Sequence, residues 1–154
     1  MLHQLSTRQF IKSDIDTVWA FISSPKNLAV ITPPHMGFNI LSETTALEHM
    51  YAGQIIEYHV SPMLYLKLHW VTEITHVVKN QYFVDEQRFG PYAFWHHQHF
   101  LKEVVGGVEM YDIVNYKAPL GVLGRIANSL FIKKQLKQIF DYRYQKIEEL
   151  FNKK

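Results

Sequence analysis

Hydrophobic and polar residues alternate along most of the first three quarters of the chain, a pattern that is typical of half-buried β-strands. The alternation predicts a first strand over residues 3–12 and further strands over residues 37–43, 54–60 and 64–78. Three more strands follow within residues 81–117, and the gaps between them are short enough for hairpins. About seven strands that are linked mostly by short loops indicate one strongly bent antiparallel sheet.

Helical spacing replaces this alternation in two parts of the chain. After the first strand, Ser13 is a candidate N-cap for a short helix with Val18 and Trp19 on its apolar side, and Pro25 begins a second short helix. Over residues 122–151, apolar residues recur every three to four positions and no proline interrupts them. We therefore expect a long C-terminal helix whose apolar stripe packs against the concave sheet.

Two turns predict how the three strands within residues 81–117 pair. Gly106 and Gly107 predict a two-residue hairpin loop, and Pro91 marks the turn before it. Because a hairpin turn fixes the register, the cross-strand neighbours follow. The predicted pairs are Phe83 with His99, Asp85 with His97, His97 with Tyr116, His99 with Val114, and Leu101 with Asp112.

One face of these three strands mixes large apolar side chains with ionisable ones. By alternation it carries Phe83, Asp85, Gln87, Trp95, His97, His99, Leu101, Asp112, Val114 and Tyr116. Such a mixture suits a ligand cavity or a buried polar network better than an ordinary core. The series Asp85, His97 and Tyr116 is the sharpest candidate site: it could anchor a ligand, act in acid–base chemistry, or only stabilise the sheet.

Three neighbouring histidines raise the question of a metal site. His97 and His99 share a face with Asp85 and Asp112, and two histidines with a carboxylate could hold zinc or iron(II). His96, however, points to the opposite face in the predicted register. We expect no bound metal and no other cofactor.

Composition narrows the classes of function. The 154 residues are 47% hydrophobic and 19% charged, as in a soluble globular protein, and the length fits one domain over residues 1–154. A net charge of +2 without a basic run argues against nucleic acid as a partner. The chain has no cysteine, which excludes disulfides and thiolate metal sites. The lack of a long apolar run and of a signal-peptide pattern leads us to expect a cytoplasmic location without stable membrane insertion.

Several sequence runs resemble a known superfamily. They are residues 70–75, 83–87, 90–92, 95–99, 117–121 and 140–143, together with Asp112, Val114 and Tyr116. The most specific is Gly-Pro-Tyr at 90–92 followed by Trp-His-His-Gln-His at 95–99. Together with the order of predicted elements, they resemble the START-like or SRPBCC superfamily over essentially the whole chain. The similar subgroup is described as ligand-binding, polyketide cyclase-like or cell-division-inhibitor-like.

The resemblance implies an α+β helix-grip fold with a deep, mostly apolar cavity between the sheet and the C-terminal helix. We expect this cavity to bind a hydrophobic or amphipathic small molecule that is lipid- or polyketide-like. The expected polar anchors are Asp85, Gln87, His97, His99, Asp112 and Tyr116, and the expected apolar wall is Trp70, Phe83, Trp95 and Leu101.

Two alternatives come from other functional classes, and the sequence leaves the oligomeric state open. The first is a polyketide cyclase-like enzyme in which His97 is the base, Asp85 orients it, and Tyr116 donates a hydrogen bond to an enolate. The second is a module that binds a protein partner through an exposed sheet face or the last helix.

Overall fold

The computed structural model describes residues 1–42, 49–61, 66–121, 123 and 131–153. The strands are β1 (His3–Ile11), β2 (Asn39–Ile40), β3 (Gln54–Val60), β4 (Leu68–Val78), β5 (Tyr82–Phe89), β6 (Phe94–Val104) and β7 (Gly107–Lys117). The helices are α1 (Ile15–Ile22), α2 (Pro25–Leu28) and α3 (Lys133–Ile147), with a 3-10 turn at Pro34–Met36 and a π-helical turn at Glu148–Asn152. The strands form one antiparallel sheet in the order β1-β7-β6-β5-β4-β3-β2.

This arrangement confirms the predicted helix-grip architecture, with two short helices after β1 and a long helix at the C-terminus. The strand predicted over residues 37–43 is shorter than expected, because only Asn39–Ile40 pairs with β3 as an edge strand. Residues 43, 64–65, 122 and 124–130, which belong to predicted strands and to the predicted last helix, lie outside the described residues. In the described part of the chain, no helix is long and apolar enough to cross a membrane.

The first helix is capped by Asp14 and not by Ser13 as predicted. Asp14 has an extended backbone, and its carboxylate accepts a hydrogen bond from the Thr17 backbone N–H at 2.8 Å. The helix then buries Val18 and Trp19 against the sheet. It therefore closes one end of the concave face.

The β6–β7 hairpin uses a different loop from the predicted one. Val104 pairs with Gly107, so the two loop residues are Val105 and Gly106. Gly106 has a φ of +86°, in the left-handed region that glycine adopts without strain. Gly107 has another role: a Cβ at this position would lie 2.2 Å from the Ile11 carbonyl oxygen, so only glycine lets β7 approach the end of β1 this closely.

The new loop shifts the β6–β7 register by two residues, which keeps each side chain on its predicted face but changes its partner. The observed pairs are Trp95 with Tyr116, His97 with Val114, His99 with Asp112, and Leu101 with Met110. The predicted pairs of His97 with Tyr116, His99 with Val114, and Leu101 with Asp112 are therefore wrong. The β5–β6 register is as predicted, with Asp85 opposite His97 and Phe83 opposite His99.

The concave face has a packed end and an aromatic end. At the packed end, Ile11, Val18, Val108 and Ile147 are fully buried in one apolar cluster. At the aromatic end, side chains of β3, β4 and β6 form a second buried cluster around Trp70. Irregular pairing in β4 at residues 71–72 and 74–76 bends the sheet between these two ends. The bend and α3 together enclose a space over the middle of the sheet.

Candidate functional site

A cavity of about 390 Å³ lies between the concave face of the sheet and α3. Most of its wall is apolar and comes from α1, α2, β3, β4 and α3. One patch of the wall is ionisable, and we call it the polar cluster. Its members are Asp85 of β5, His97 and His99 of β6, Asp112 of β7, and Arg143 of α3.

The two histidines and the two aspartates of the polar cluster contact one another in a closed circuit. His97 places Nε2 2.9 Å from Asp112 Oδ1 and Nδ1 3.3 Å from Asp85 Oδ2. His99 places Nε2 2.8 Å from Asp85 Oδ2 and Nδ1 2.9 Å from Asp112 Oδ1. Each imidazole therefore lies between two carboxylates and turns one ring nitrogen toward each.

Strand alternation explains why these groups meet. His97 and His99 are two residues apart on β6, so both point inward, and their ring centroids lie 3.7 Å apart. Phe83 stacks on His99 with a centroid distance of 4.0 Å, and Phe140 of α3 meets the His97 ring edge-on at 5.6 Å. Apolar rings on both sides thus hold the imidazoles and keep bulk water away from them.

The carboxylates are held from outside the circuit as well. Trp95 donates its indole N–H to Asp85 Oδ1 at 3.1 Å, and the Thr7 hydroxyl of β1 donates to Asp112 Oδ2 at 3.4 Å. Asp112 is the more buried carboxylate, with a side chain that is 2% exposed, whereas that of Asp85 is 15% exposed. Asp85 is therefore the carboxylate nearer to the open space.

Arg143 brings a positive charge from the helix to this wall. Its Nη1 lies 3.7 Å from Asp112 Oδ1, and its guanidinium lies over the Phe140 ring at 4.8 Å. The residue is 9% exposed, and its Nε is buried without a hydrogen-bond partner among the described residues. A buried donor without a partner costs free energy and is uncommon in folded proteins.

The environment keeps both carboxylates ionised. Burial is the largest influence on each and favours the protonated acid, but the histidines outweigh it. The charges of His97 and His99 and the hydrogen bond from His99 lower the pKa of Asp85. Hydrogen bonds from both histidines hold the pKa of Asp112 well below its usual value.

The two histidines differ from each other. Burial and the charge of His99 lower the pKa of His97 to about 4, although Asp85 and Asp112 act in the other direction. Burial also opposes the charge on His99, but its hydrogen bonds to Asp112 and Asp85 prevail and raise its pKa.

The cavity wall includes seven of the ten residues that the sequence predicts as ligand-binding. They are Trp70, Phe83, Asp85, Trp95, His97, His99 and Asp112. The other three have contacts elsewhere. Gln87 bonds to both the backbone carbonyl and the backbone N–H of Tyr92 and closes the β5–β6 turn. Leu101 lies in the packed end, and Tyr116, opposite Trp95, packs with Leu136 beside the cavity.

Sequence reasoning missed Arg143 as a site residue, although a signal is present. Leu136, Phe140, Arg143 and Ile147 are spaced by four, three and four residues, so a charged residue occupies the buried stripe of α3. A charge at such a position needs a partner, and the inward-facing Asp112 supplies it.

The polar cluster has three chemical capacities. It can bind the polar head of a molecule whose body lies in the apolar part of the cavity. It can also hold or move a proton between imidazole and carboxylate. Finally, Asp85, His97 and His99 each offer a ligand atom that lies within 4.8 Å of those of the other two, so they could hold a metal ion.

Sequence comparison finds no relative, whereas comparison of shape finds many. No family model and no curated protein matches the chain. The solved structures that match include the Zhui aromatase/cyclase from Streptomyces sp. R1128, with 11% identity and a TM-score of 0.74 over 96% of this chain and 92% of that one. A START superfamily protein from Mycobacterium smegmatis has 12% identity and a TM-score of 0.69 over 96% and 99% of the two chains.

A third similar structure, an uncharacterized protein from Rhizobium leguminosarum, has 13% identity and a TM-score of 0.69 over 97% of this chain and 96% of its own. Each of the three alignments spans nearly the whole of both chains, so the order and packing of the elements are shared throughout. Structural matches at such low sequence identity establish the fold alone. The chemistry of each protein depends on its own side chains. The chain has the START-like helix-grip fold that its sequence resembles.

Proposed function

We propose that this protein binds a hydrophobic or amphipathic small molecule, lipid- or polyketide-like, in the cavity between the sheet and α3. The observation that carries this proposal is an apolar cavity of about 390 Å³ with one polar patch in its wall. Sites for small molecules usually have volumes of about 300–1,000 Å³ and combine apolar walls with a few polar groups that orient the ligand. The cavity has both properties.

Two buried donors favour an amphipathic ligand over a purely apolar one. Trp70 Nε1 and Arg143 Nε belong to residues of the cavity wall, and neither has a hydrogen-bond partner within the described part of the chain. An unsatisfied buried donor costs about 1–3 kcal/mol. Neither nitrogen is exposed to the cavity, so an acceptor oxygen of a ligand would remove that cost only after a rotation of the side chain, while the apolar body of the ligand covers the rest of the wall.

Cavity filling provides the test. Ile139 of α3 lines the cavity, whereas the neighbouring Gln138 is exposed on the outside of the same helix. We expect Ile139→Trp to fill the space and to weaken binding of the uncharged apolar dye N-phenyl-1-naphthylamine at least tenfold. Gln138→Trp, the matched control, should bind the dye like the wild type in a fluorescence titration.

Native mass spectrometry of freshly purified protein, followed by solvent extraction, should also identify a co-purified molecule with an apolar body. Equal dye affinity of Ile139→Trp and the wild type, with no co-purified species, would contradict the proposal. Thermal unfolding of both tryptophan variants checks that they are folded before the affinities are compared.

A second candidate is acid–base chemistry on a molecule in the same cavity. The pairing of His97 and His99 with Asp85 and Asp112 favours it, because such pairs hold a proton in reach of the cavity. The similar Zhui protein is an aromatase/cyclase, which gives a reaction class to test. Incubation of the wild type and of His97→Gln with an unreduced poly-β-ketone tests it: a ring-closed product from the wild type alone would support catalysis, and its absence would favour binding alone.

A further inference from the structure

We propose that Asp85, His97 and His99 bind one divalent transition-metal ion, of the zinc or iron(II) type, at the polar wall of the cavity, and that Asp112 orients both imidazoles. This inference reverses the expectation of no bound metal, which rested partly on His96 pointing away. It does not depend on the proposed function, since the ion could serve a bound ligand or a reaction.

The first argument is the spacing of the ligand atoms. Asp85 Oδ2 lies 3.3 Å from His97 Nδ1 and 2.8 Å from His99 Nε2. Zinc bonds of about 2.0–2.1 Å in a tetrahedral site place neighbouring ligand atoms about 3.3 Å apart. The His97 pair has that spacing, the His99 pair is shorter, and one atom from each of the three residues lies within 4.8 Å of the others. Binding an ion therefore requires the two imidazoles, whose centroids are 3.7 Å apart, to separate by about 1–1.5 Å.

The second argument is what the remaining polar atoms do. Metal-bound histidines almost always donate their other ring N–H to a carboxylate, carbonyl or water, which fixes the orientation of the imidazole. His97 Nε2 and His99 Nδ1, the nitrogens that face away from Asp85, both lie 2.9 Å from Asp112 Oδ1. Asp85 Oδ1, the oxygen that faces away from the imidazoles, accepts from Trp95 at 3.1 Å. In each of the three ligand residues, the polar atom that would not bind the ion therefore contacts a neighbouring side chain that fixes its orientation.

The third argument is charge. Within the described part of the chain, the ion pairs of Asp85 are with the two histidines, whereas Arg143 contacts Asp112. In the same described part, no lysine or arginine pairs with Asp85, so a divalent ion would be its first permanently charged cationic partner. Three protein ligands leave at least one coordination position for water or for an oxygen of a ligand.

The experiment is a titration of the full chain, dialysed first against a chelator, with Co²⁺. We expect one Co²⁺ per chain, visible absorption bands typical of nitrogen and oxygen ligands, and displacement by one equivalent of Zn²⁺. His97→Ala and His99→Ala should abolish the bands, and Asp85→Asn should weaken binding. Asp112→Asn should lower the affinity about 10–100-fold, because it replaces the charged acceptor that orients both histidines with a neutral amide.

The outer face of the sheet provides matched controls. His96 comes directly before His97 on β6, but its side chain contacts Glu86 on the other face. His69 contacts Glu57 at 2.6 Å and lies beside His59, so this surface group could bind Co²⁺ adventitiously. We expect His96→Ala and His69→Ala to retain the full absorption bands and stoichiometry.

Two results would overturn the inference. One is a wild-type chain that binds no equimolar Co²⁺ or Zn²⁺ at micromolar concentrations. The other is binding that survives His97→Ala or His99→Ala but is lost in His69→Ala, which assigns it to the surface. Circular dichroism shows which variants are folded; if an alanine variant is not, His99→Gln or His97→Gln replaces it. Because the readout is the metal, a failure here leaves the result of dye binding untouched.

Discussion

The two faces of this sheet both place histidine against carboxylate, but in different surroundings. On the outer face, His69 of β4 lies 2.6 Å from Glu57 of β3, and their side chains are 38% and 47% exposed. On the inner face, His97 lies 2.9 Å from Asp112, and their side chains are 5% and 2% exposed. Because the two contact distances are similar, we attribute the difference in how much each pair stabilises the fold to its exposure to water.

Water weakens the outer pair, because it screens both charges and competes for their hydrogen bonds. Such exposed pairs stabilise a protein by about 0–1 kcal/mol. Inside, removal of one partner leaves the others buried and unsatisfied, and the expected loss rises to about 3–5 kcal/mol for a charged group. The comparison teaches that short contact distances alone do not identify the interactions on which the fold depends.

The largest expected effect comes from the most buried carboxylate. Asp112→Ala removes the acceptor for His97 and His99 and the negative charge that pairs with Arg143. We expect the free energy of unfolding to fall by about 3–5 kcal/mol, as for other buried charges that lose their partner. Urea unfolding followed by circular dichroism measures it. A loss below about 1 kcal/mol would show that water replaces Asp112 and that the inner face is wetter than we infer.

A smaller loss of stability is expected for substitutions on the cavity side of the polar cluster. Asp85→Asn and His97→Gln keep the size and part of the hydrogen bonding, so each should lower the free energy of unfolding by about 1–3 kcal/mol. Both should bind the apolar dye more weakly than the wild type, because they alter the cavity wall. If both variants unfold readily while their folded fraction binds normally, the network is structural and the site assignment is wrong.

Trp95→Phe removes one hydrogen bond of the inner face together with part of an aromatic ring. Phenylalanine keeps an aromatic ring near Trp70 and Tyr92 but loses the donor to Asp85 Oδ1. We expect a loss of about 1–2 kcal/mol in urea unfolding, from the missing bond and the smaller ring. Phe94→Leu, at an exposed neighbour on the same strand, is the control and should change stability by less than half as much.

The smallest loss of stability is expected on the outer face of the sheet. His69→Gln should lower the free energy of unfolding by less than about 1 kcal/mol, because the pair with Glu57 is exposed. The same experiment at about 0.5 M salt should reduce even this difference, whereas salt should scarcely change the effect of Asp112→Ala. Equal losses for His69→Gln and His97→Gln would remove the distinction between the two faces.

Most of the fold could be predicted because it depends on local patterns. Period-two alternation gave the strands, and period-3.6 spacing gave α3. The turn at Pro91 gave the correct pairing of Asp85 with His97. The glycine hairpin did not, because two adjacent glycines serve different purposes: Gly106 forms the loop, and Gly107 makes room for Ile11. Packing against β1, which decides between them, is not visible in a local pattern.

The site was harder to predict for a related reason. Alternation gave the inward face, and this survived the register error because the shift was an even number of residues. It could not tell that Leu101 lies at the packed end or that Gln87 turns to the Tyr92 backbone. Arg143 comes from α3, and its partner on β7 depends on how the helix crosses the sheet. Contacts between distant elements decide such positions.

The arrangement of the tryptophans gives the protein an optical reporter of its own. It has three tryptophans, of which Trp70 and Trp95 face the cavity at a centroid distance of 5.2 Å while Trp19 lies in the packed end. The two cavity indoles are nearly perpendicular, at 89°, and Trp95 donates a hydrogen bond to the Asp85 carboxylate. Anything that enters the space changes the polarity around two emitters and leaves the third as an internal reference. Intrinsic emission of the unlabelled chain should therefore shift in wavelength on occupancy, and a screen for its natural ligand needs no dye.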